Sequence, residues 1–364
     1  MMIEKLNDKE AICITTLFIM GSTLIMGIGG RAENNSWISA ILGMLFALPM
    51  VLIYSRIISI FKGKDLFEIL ELVFGKFIGK FIVVLYIGYS FLLGSLVVRN
   101  FGEFVDTLGM PETPMFVINF TLGLVCVIAV RLGIETIGRA CAYFIPLVFF
   151  ILINVQILAI PEFHFDYIKP IMYKGFMPVL QAGYYAFSFP FAETVILMSA
   201  FFTLKSKKSA RKVYLWGLFL AGISIVVLTL RNVLILGNSI DMYYFPSYIA
   251  VGNISVGNFL QRLEVTVVFV FAIGAFAKSS MCLFSACRGF QRLFKLDDYR
   301  SVAIQVGLLM VYFSIIVYGN IMEMKEWAEI YSYYVIPVQI VIPVILWIVA
   351  EIRKKSILSS TNCA

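Results

Sequence analysis

The sequence predicts an all-α polytopic membrane protein, ten transmembrane helices in a five-plus-five inverted repeat with helices one and six discontinuous. Three observations predict it. Of 364 residues, 61% are hydrophobic and only 14% charged, with a mean hydropathy of +0.93; soluble domains do not have that balance. Apolar runs of about 17 to 25 residues, long enough to cross a bilayer, recur between charged or Pro/Gly/Asn-rich connections. Within one such run, 181–202, stand two residues that membrane helices avoid, Pro190 and Glu193.

The ten spans fall at approximately 11–30, 37–60, 77–105, 114–131, 140–160, 179–203, 213–237, 258–280, 301–319 and 332–350. The first follows a mixed-charge flank (Lys5, Asp8, Lys9, Glu10) and is too long for a cleavable signal core, so it is a retained helix. With the amino terminus inside, about 22 of the 29 basic residues fall in inner connections or at inner span ends, among them Lys62, Lys64, Arg131, Arg139 and Arg353. Both termini are therefore expected in the cytoplasm. The +7 net charge is accounted for by this bias and does not indicate nucleic-acid binding. The whole chain, 1–364, reads as one transmembrane domain: a first repeat over about 11–160, a second over about 179–350, and a cytoplasmic tail over 351–364.

Three connections have character of their own. Residues 65–80 alternate acids and apolar residues at helical spacing, which fits either a helix lying along the inner interface or an extension of span three. The aromatic, proline-containing stretch 161–178 and the stretch 238–258 suit ordered outer caps.

Span six should break. Pro190 has no N–H to give the carbonyl of Ala186, and it disfavours helical geometry at Phe189. Because five is odd, the second half of the chain starts on the opposite membrane face from the first, which makes spans one and six equivalent. Span one has its own weak point at Gly21, Ser22 and Thr23, with Gly27, Gly29 and Gly30 beyond. Close helix packing also explains such glycines. Unwound main chain there would instead offer N–H and C=O groups to the carboxylate and amine of an amino acid.

Glu193 lies about 20 Å into its span at helical rise. It fits a ligand contact, a protonatable switch or a structural acid bonded to neighbouring helices. Arg99 and Glu103, spaced i, i+4 in span three, share a helix face and can pair. Arg262 and Glu264 open span eight, the repeat equivalent of span three, so a network joining all four is one expectation; side chains reaching outward to water is the other. Arg231 in span seven is expected to snorkel or meet a lipid phosphate. Tyr89 is a candidate cavity residue. Six scattered cysteines without CxxC spacing read as reduced apolar residues, and the single histidine, His164, excludes zinc clusters and histidine-based triads. No enzyme activity, cofactor or metal is expected.

In order along the chain stand Gly21-Ser22-Thr23, Arg99 with Glu103, Lys169-Pro170, Glu193 after the span-six break, Phe245-Pro246-Ser247 and Phe259-Leu260-Gln261-Arg262-Leu263-Glu264. With that order and spacing the chain resembles, over nearly its full length, the permease-like B subunits of spore germinant receptors, in the amino acid-polyamine-organocation superfamily. The resemblance implies a LeuT-like fold, a seat in the inner membrane of a bacterial endospore, and a complex with an A subunit and a lipoprotein C subunit. It also implies a small germinant, commonly an amino acid, bound near spans one, three, six and eight. The chain departs from the family in reading Ile28-Gly29-Gly30 without the usual proline, and in carrying Pro190 where glycine is common. A germinant receptor is the leading expectation, with Gly21, Ser22, Thr23, Tyr89, Phe189, Pro190 and Glu193 as ligand-binding residues. A proton-coupled amino acid transporter and a membrane scaffold for the other subunits are the alternatives.

Overall fold

The computed structural model describes residues 5–28, 30–109, 112–204, 206–254 and 263–361. Gly29, Lys205, Arg262 with the Phe259-Leu260-Gln261 run before it, and Cys363 lie outside the described residues. Among the described residues the regular elements are all helical. Nine helical segments are long and apolar enough to cross a membrane: Asp8–Met26, Ala32–Ile60, Lys76–Leu108, Met115–Leu132, Ile134–Glu162, Lys208–Ile240, Glu264–Phe294, Tyr299–Ile316 and Ile321–Arg353. These are spans one to five and seven to ten.

Span six lies between them and is not one helix. Phe176–Ala186 is α-helical, Phe187–Phe191 widens into a π-turn, and Ala192–Ser199 tightens into 3-10 geometry. The cause is local: Pro190 leaves the i→i−4 ladder without a donor, and Phe189 departs to φ −133°, ψ 111°. Span one is interrupted where expected. Asp8–Met20 stops at Gly21 (φ 12°, ψ −120°), Ser22 follows, and Thr23–Met26 forms a last single turn.

Two boundaries differ from the sequence reading. Span five begins at Ile134, because Gly133 at φ 102° reverses the chain in a single residue. Arg139, expected in a connection, therefore sits on the helix and pairs with Glu135 at 2.9 Å. Span ten begins well before residue 332, with the helix Ile321–Tyr334, whose Glu323, Lys325, Glu326 and Glu329 disguise it as a loop. Pro337 then opens a second π-turn over Pro337–Val341 before Ile342–Thr361 continues.

The interior belongs to spans one, three and eight. The most apolar windows of these spans are 72%, 67% and 72% buried, against 17% for span five, which therefore lies at the periphery. Span eight reaches the break in span one directly: a Cβ on Gly274 would lie 3.1 Å from the Gly21 Cα. Residues 65–80 divide at Gly75 (φ 81°) into the short helix Leu66–Phe74 and the start of span three, so the stretch is no simple extension of that span. The apolar face of Leu66–Phe74 is buried in the core; its acids clamp the end of span eight, Asp65 to Arg288 at 2.6 Å and Glu71 to Arg292 at 2.7 Å. On the opposite side, Asn34 donates to the carbonyls of Ile168 and Pro170, and Glu33 pairs with Lys174 at 2.6 Å, which orders the cap over 161–178.

Candidate functional site

The break in span six and the stretch of chain beyond the break in span one border a cavity of about 610 Å³. Span one contributes Met26, Gly27 and Ile28, span six contributes Phe189 and Glu193, and Asn100 and Asn232 come from spans three and seven. Tyr331 and Ser332, on the helix before the break in span ten, complete the lower wall.

Glu193 lies at the cavity floor with both oxygens engaged. Lys278 Nζ of span eight donates to Oε2 at 2.5 Å, and the Tyr331 hydroxyl donates to Oε1 at 2.5 Å. Both charged side chains are fully buried, and the ammonium also lies 4.8 Å from the ring centre of Phe189 and 5.6 Å from that of Phe18. Below this pair, Tyr331 meets Tyr89 at 3.1 Å, and Gln339 donates to the Tyr89 hydroxyl and to the Ser188 carbonyl. The π-turn at Pro337 frees two carbonyls for the same layer. Tyr54 donates to Gln339 O at 2.6 Å and Tyr86 to Val338 O at 2.8 Å. Breaks in spans six and ten thus supply acceptors that an intact helix would keep for itself.

Of the predicted ligand residues, Phe189 and Glu193 line the cavity. Tyr89 is one layer beneath, and Pro190 is buried in the break that positions both. Gly21, Ser22 and Thr23 lie behind the floor, not on the wall. Gly21 backs onto the Lys278 stem, Thr23 Oγ1 donates to the carbonyls of Ile19 and Met20, and the buried Ser22 hydroxyl has no partner. Arg99 and Glu103 pair at 2.9 Å, both almost fully buried. Arg99 Nη1 turns to span nine, donating to the carbonyls of Ser314 and Ile315, and the guanidinium lies 5.1 Å from the Tyr318 ring centre. Among the described residues no ion pair joins them to Glu264, and Arg262, the fourth member of the expected network, lies outside. Arg231 does not snorkel: it is 2% exposed and folded back onto Asn232 Oδ1. Among the described residues no group of His, Cys, Asp or Glu side chains could hold a metal ion.

A family model described as "Spore germination protein" matches residues 5–320. The chain belongs to this spore germination family. It is 28% identical over 364 residues to Spore germination protein KB of Bacillus subtilis (strain 168), covering 96% of each chain. Spore germination protein XB of Bacillus anthracis is 24% identical over 279 residues, 74% of this chain and 77% of that one. Solved structures share the architecture at low identity. A nucleobase-cation-symport-1 family transporter with bromovinylhydantoin bound superposes with a TM-score of 0.64 at 12% identity, over 92% of this chain and 79% of the other. MhsT in complex with L-phenylalanine gives 0.61 at 13% identity, over 90% and 86%. The fold of this spore germination family member is therefore LeuT-like.

Sequence reasoning missed Lys278, Tyr331 and Gln339. Lys278 was visible as a lysine inside the apolar run of span eight, where an unpaired charge is costly, and Glu193 was the acid left in need of a partner. Tyr331 and Gln339 gave no such signal, because their roles follow from where span ten breaks.

Proposed function

We propose that this chain is the membrane subunit of a spore germinant receptor. It binds a small nutrient germinant, an amino acid, and passes the change to an A subunit and a lipoprotein C subunit in the spore inner membrane, with both its termini cytoplasmic. One observation carries the reading: the cavity meets the span-six break at Phe189 and Glu193, and Glu193 is held in a buried ion pair by Lys278, whose stem packs against the span-one break at Gly21. A ligand against Phe189 and Glu193 would bear on all three spans at once. Occupancy then shifts an equilibrium between arrangements that bind the ligand unequally, and no catalytic step is required. The names of the relatives support the germination role, and the neighbour with L-phenylalanine shows that this fold can hold an amino acid.

The transporter reading keeps one specific support, the carboxylate at the cavity floor. Purified protein in liposomes separates the two. Binding of labelled amino acids without flux above that of protein-free liposomes is the receptor outcome. Accumulation driven by a pH gradient and lost in Glu193→Gln makes the protein a transporter. Normal germination after conservative cavity substitutions would leave the scaffold role alone standing.

A further inference from the structure

Among the described residues three buried cations stand behind residues that line the cavity, and two have carboxylate partners. Lys278 is neutralised by Glu193 and Arg99 by Glu103. Arg231, 2% exposed, has no carboxylate within ion-pair distance among the described residues; Nε and Nη2 both donate to one neutral oxygen, Asn232 Oδ1, at 3.2 and 2.7 Å. Asn232 holds its place by donating to Ser247 Oγ at 3.0 Å, and it lines the cavity with Thr229, one turn earlier on the same helix face. A buried guanidinium matched only by an amide oxygen is poorly compensated. Its forked donors suit the two oxygens of a carboxylate.

We infer that Arg231 receives the carboxylate of the bound germinant, and that Asn232 Oδ1 is the stand-in which that carboxylate displaces or joins. This rests on the germinant-binding reading and adds a ligand class and a polarity to it: a small carboxylate, with its acid end on span seven and the rest of the molecule among Phe189, Tyr331 and the other aromatic rings. Among the described residues Lys278 and Arg99 are already neutralised, which leaves the Arg231 charge behind Asn232 for a carboxylate to cancel and a cationic ligand to worsen.

The test has two arms on the purified full chain. Without ligand, Asn232→Asp supplies an internal carboxylate, so its Tm rises by a few degrees, and Arg231→Gln does not lower Tm. A lower Tm in Asn232→Asp or in Arg231→Gln makes Arg231 a structural residue and overturns the inference. In the second arm the twenty L-amino acids are compared with their α-carboxamides, L-phenylalanine with L-phenylalaninamide for example. Any acid that binds should lose about ten-fold or more in affinity as its carboxamide. Arg231→Gln should lose as much for the acid and little for the carboxamide, and Asn232→Asp should not bind the acid. A carboxamide that binds as tightly as its acid overturns the inference while leaving the receptor reading intact. If none of the twenty acids binds, the amino acid reading fails, and the Tm arm alone decides the role of Arg231.

Discussion

Lys278 and Glu193 are worth more as a pair than as the sum of two residues, because either one alone would be a buried, uncompensated charge. Lys278→Met should therefore destabilise the protein by about 3–5 kcal/mol. The double variant Lys278→Met, Glu193→Gln should recover most of that loss, since neither side chain then carries charge. Thermal unfolding of the four proteins in detergent gives the coupling, and a single variant as stable as wild type would mean that the ion pair does not form. Tyr331→Phe removes one hydroxyl that bridges Glu193 and Tyr89 and keeps the ring against Phe189. A loss of about 1–3 kcal/mol is expected, because the hydrogen bond is to a carboxylate. The sequence showed two membrane charges in need of partners, Glu193 and Lys278, but not that they meet, and it gave no sign of Tyr331. Lys278 is 85 positions from Glu193 and Tyr331 is 138 away, so only the tertiary fold brings them together.

At the scale of elements, what the sequence disclosed was what local chemistry controls. The break in span six was legible because proline lacks a donor wherever it stands, and the weak point in span one because glycine and serine hold a helix poorly. The start of span ten was not legible, because Ile321–Tyr334 carries charges that read as a loop, and few of its residues, Met324, Tyr331 and Ser332 among them, are buried. The break in span one also depends on closeness. A Cβ at Gly21 would lie 2.8 Å from Lys278 Cδ and 3.0 Å from the Phe18 carbonyl oxygen, and the second is backbone that cannot yield. Gly21→Ala should cost about 1–3 kcal/mol by straining the last turn of Asp8–Met20 and displacing the Lys278 stem, with a matching fall in Tm. The inner helix Leu66–Phe74 yields a pH prediction. Burial, then the nearby Asp65, raises the Glu68 carboxyl above its ordinary range, outweighing Arg292. A raised folded pKa means that the stabilising contribution is complete below the ordinary carboxylate range and is lost as pH rises through the folded value. Glu68→Gln should thus unfold at a higher temperature than wild type at neutral pH, and the gap should close on acidification. A gap independent of pH would show that Glu68 carries no such shift.

For the molecule as a whole, one sidedness follows from how the cavity is walled. Away from Glu193 its lining includes Tyr243, Tyr244 and Pro246, between spans seven and eight, and Met324, Trp327 and Ala328, on the helix Ile321–Tyr334 that opens span ten; we take these as its rim. Beneath the floor, Tyr54, Tyr86 and Gln339 are buried and bonded to main-chain carbonyls, which closes the path towards Leu66–Phe74 on the opposite face. In the proposed orientation, which the distribution of lysine and arginine supports, that opposite face is cytoplasmic and the rim should face outward. A cysteine-free background carrying Ala328→Cys, an exposed rim position, should react with a membrane-impermeant thiol reagent added to right-side-out vesicles. The same background carrying Tyr54→Cys should stay unlabelled from both sides, because the position is fully buried within the polar layer beneath the floor. An amino acid that occupies the cavity should slow labelling of Ala328→Cys, whereas one that binds elsewhere should leave the rate unchanged. Labelling of Ala328→Cys only in inside-out vesicles would invert the topology and place the termini outside. Labelling of Tyr54→Cys from the inner side would mean that the layer opens spontaneously, as alternating access requires, and would move the balance from receptor to transporter.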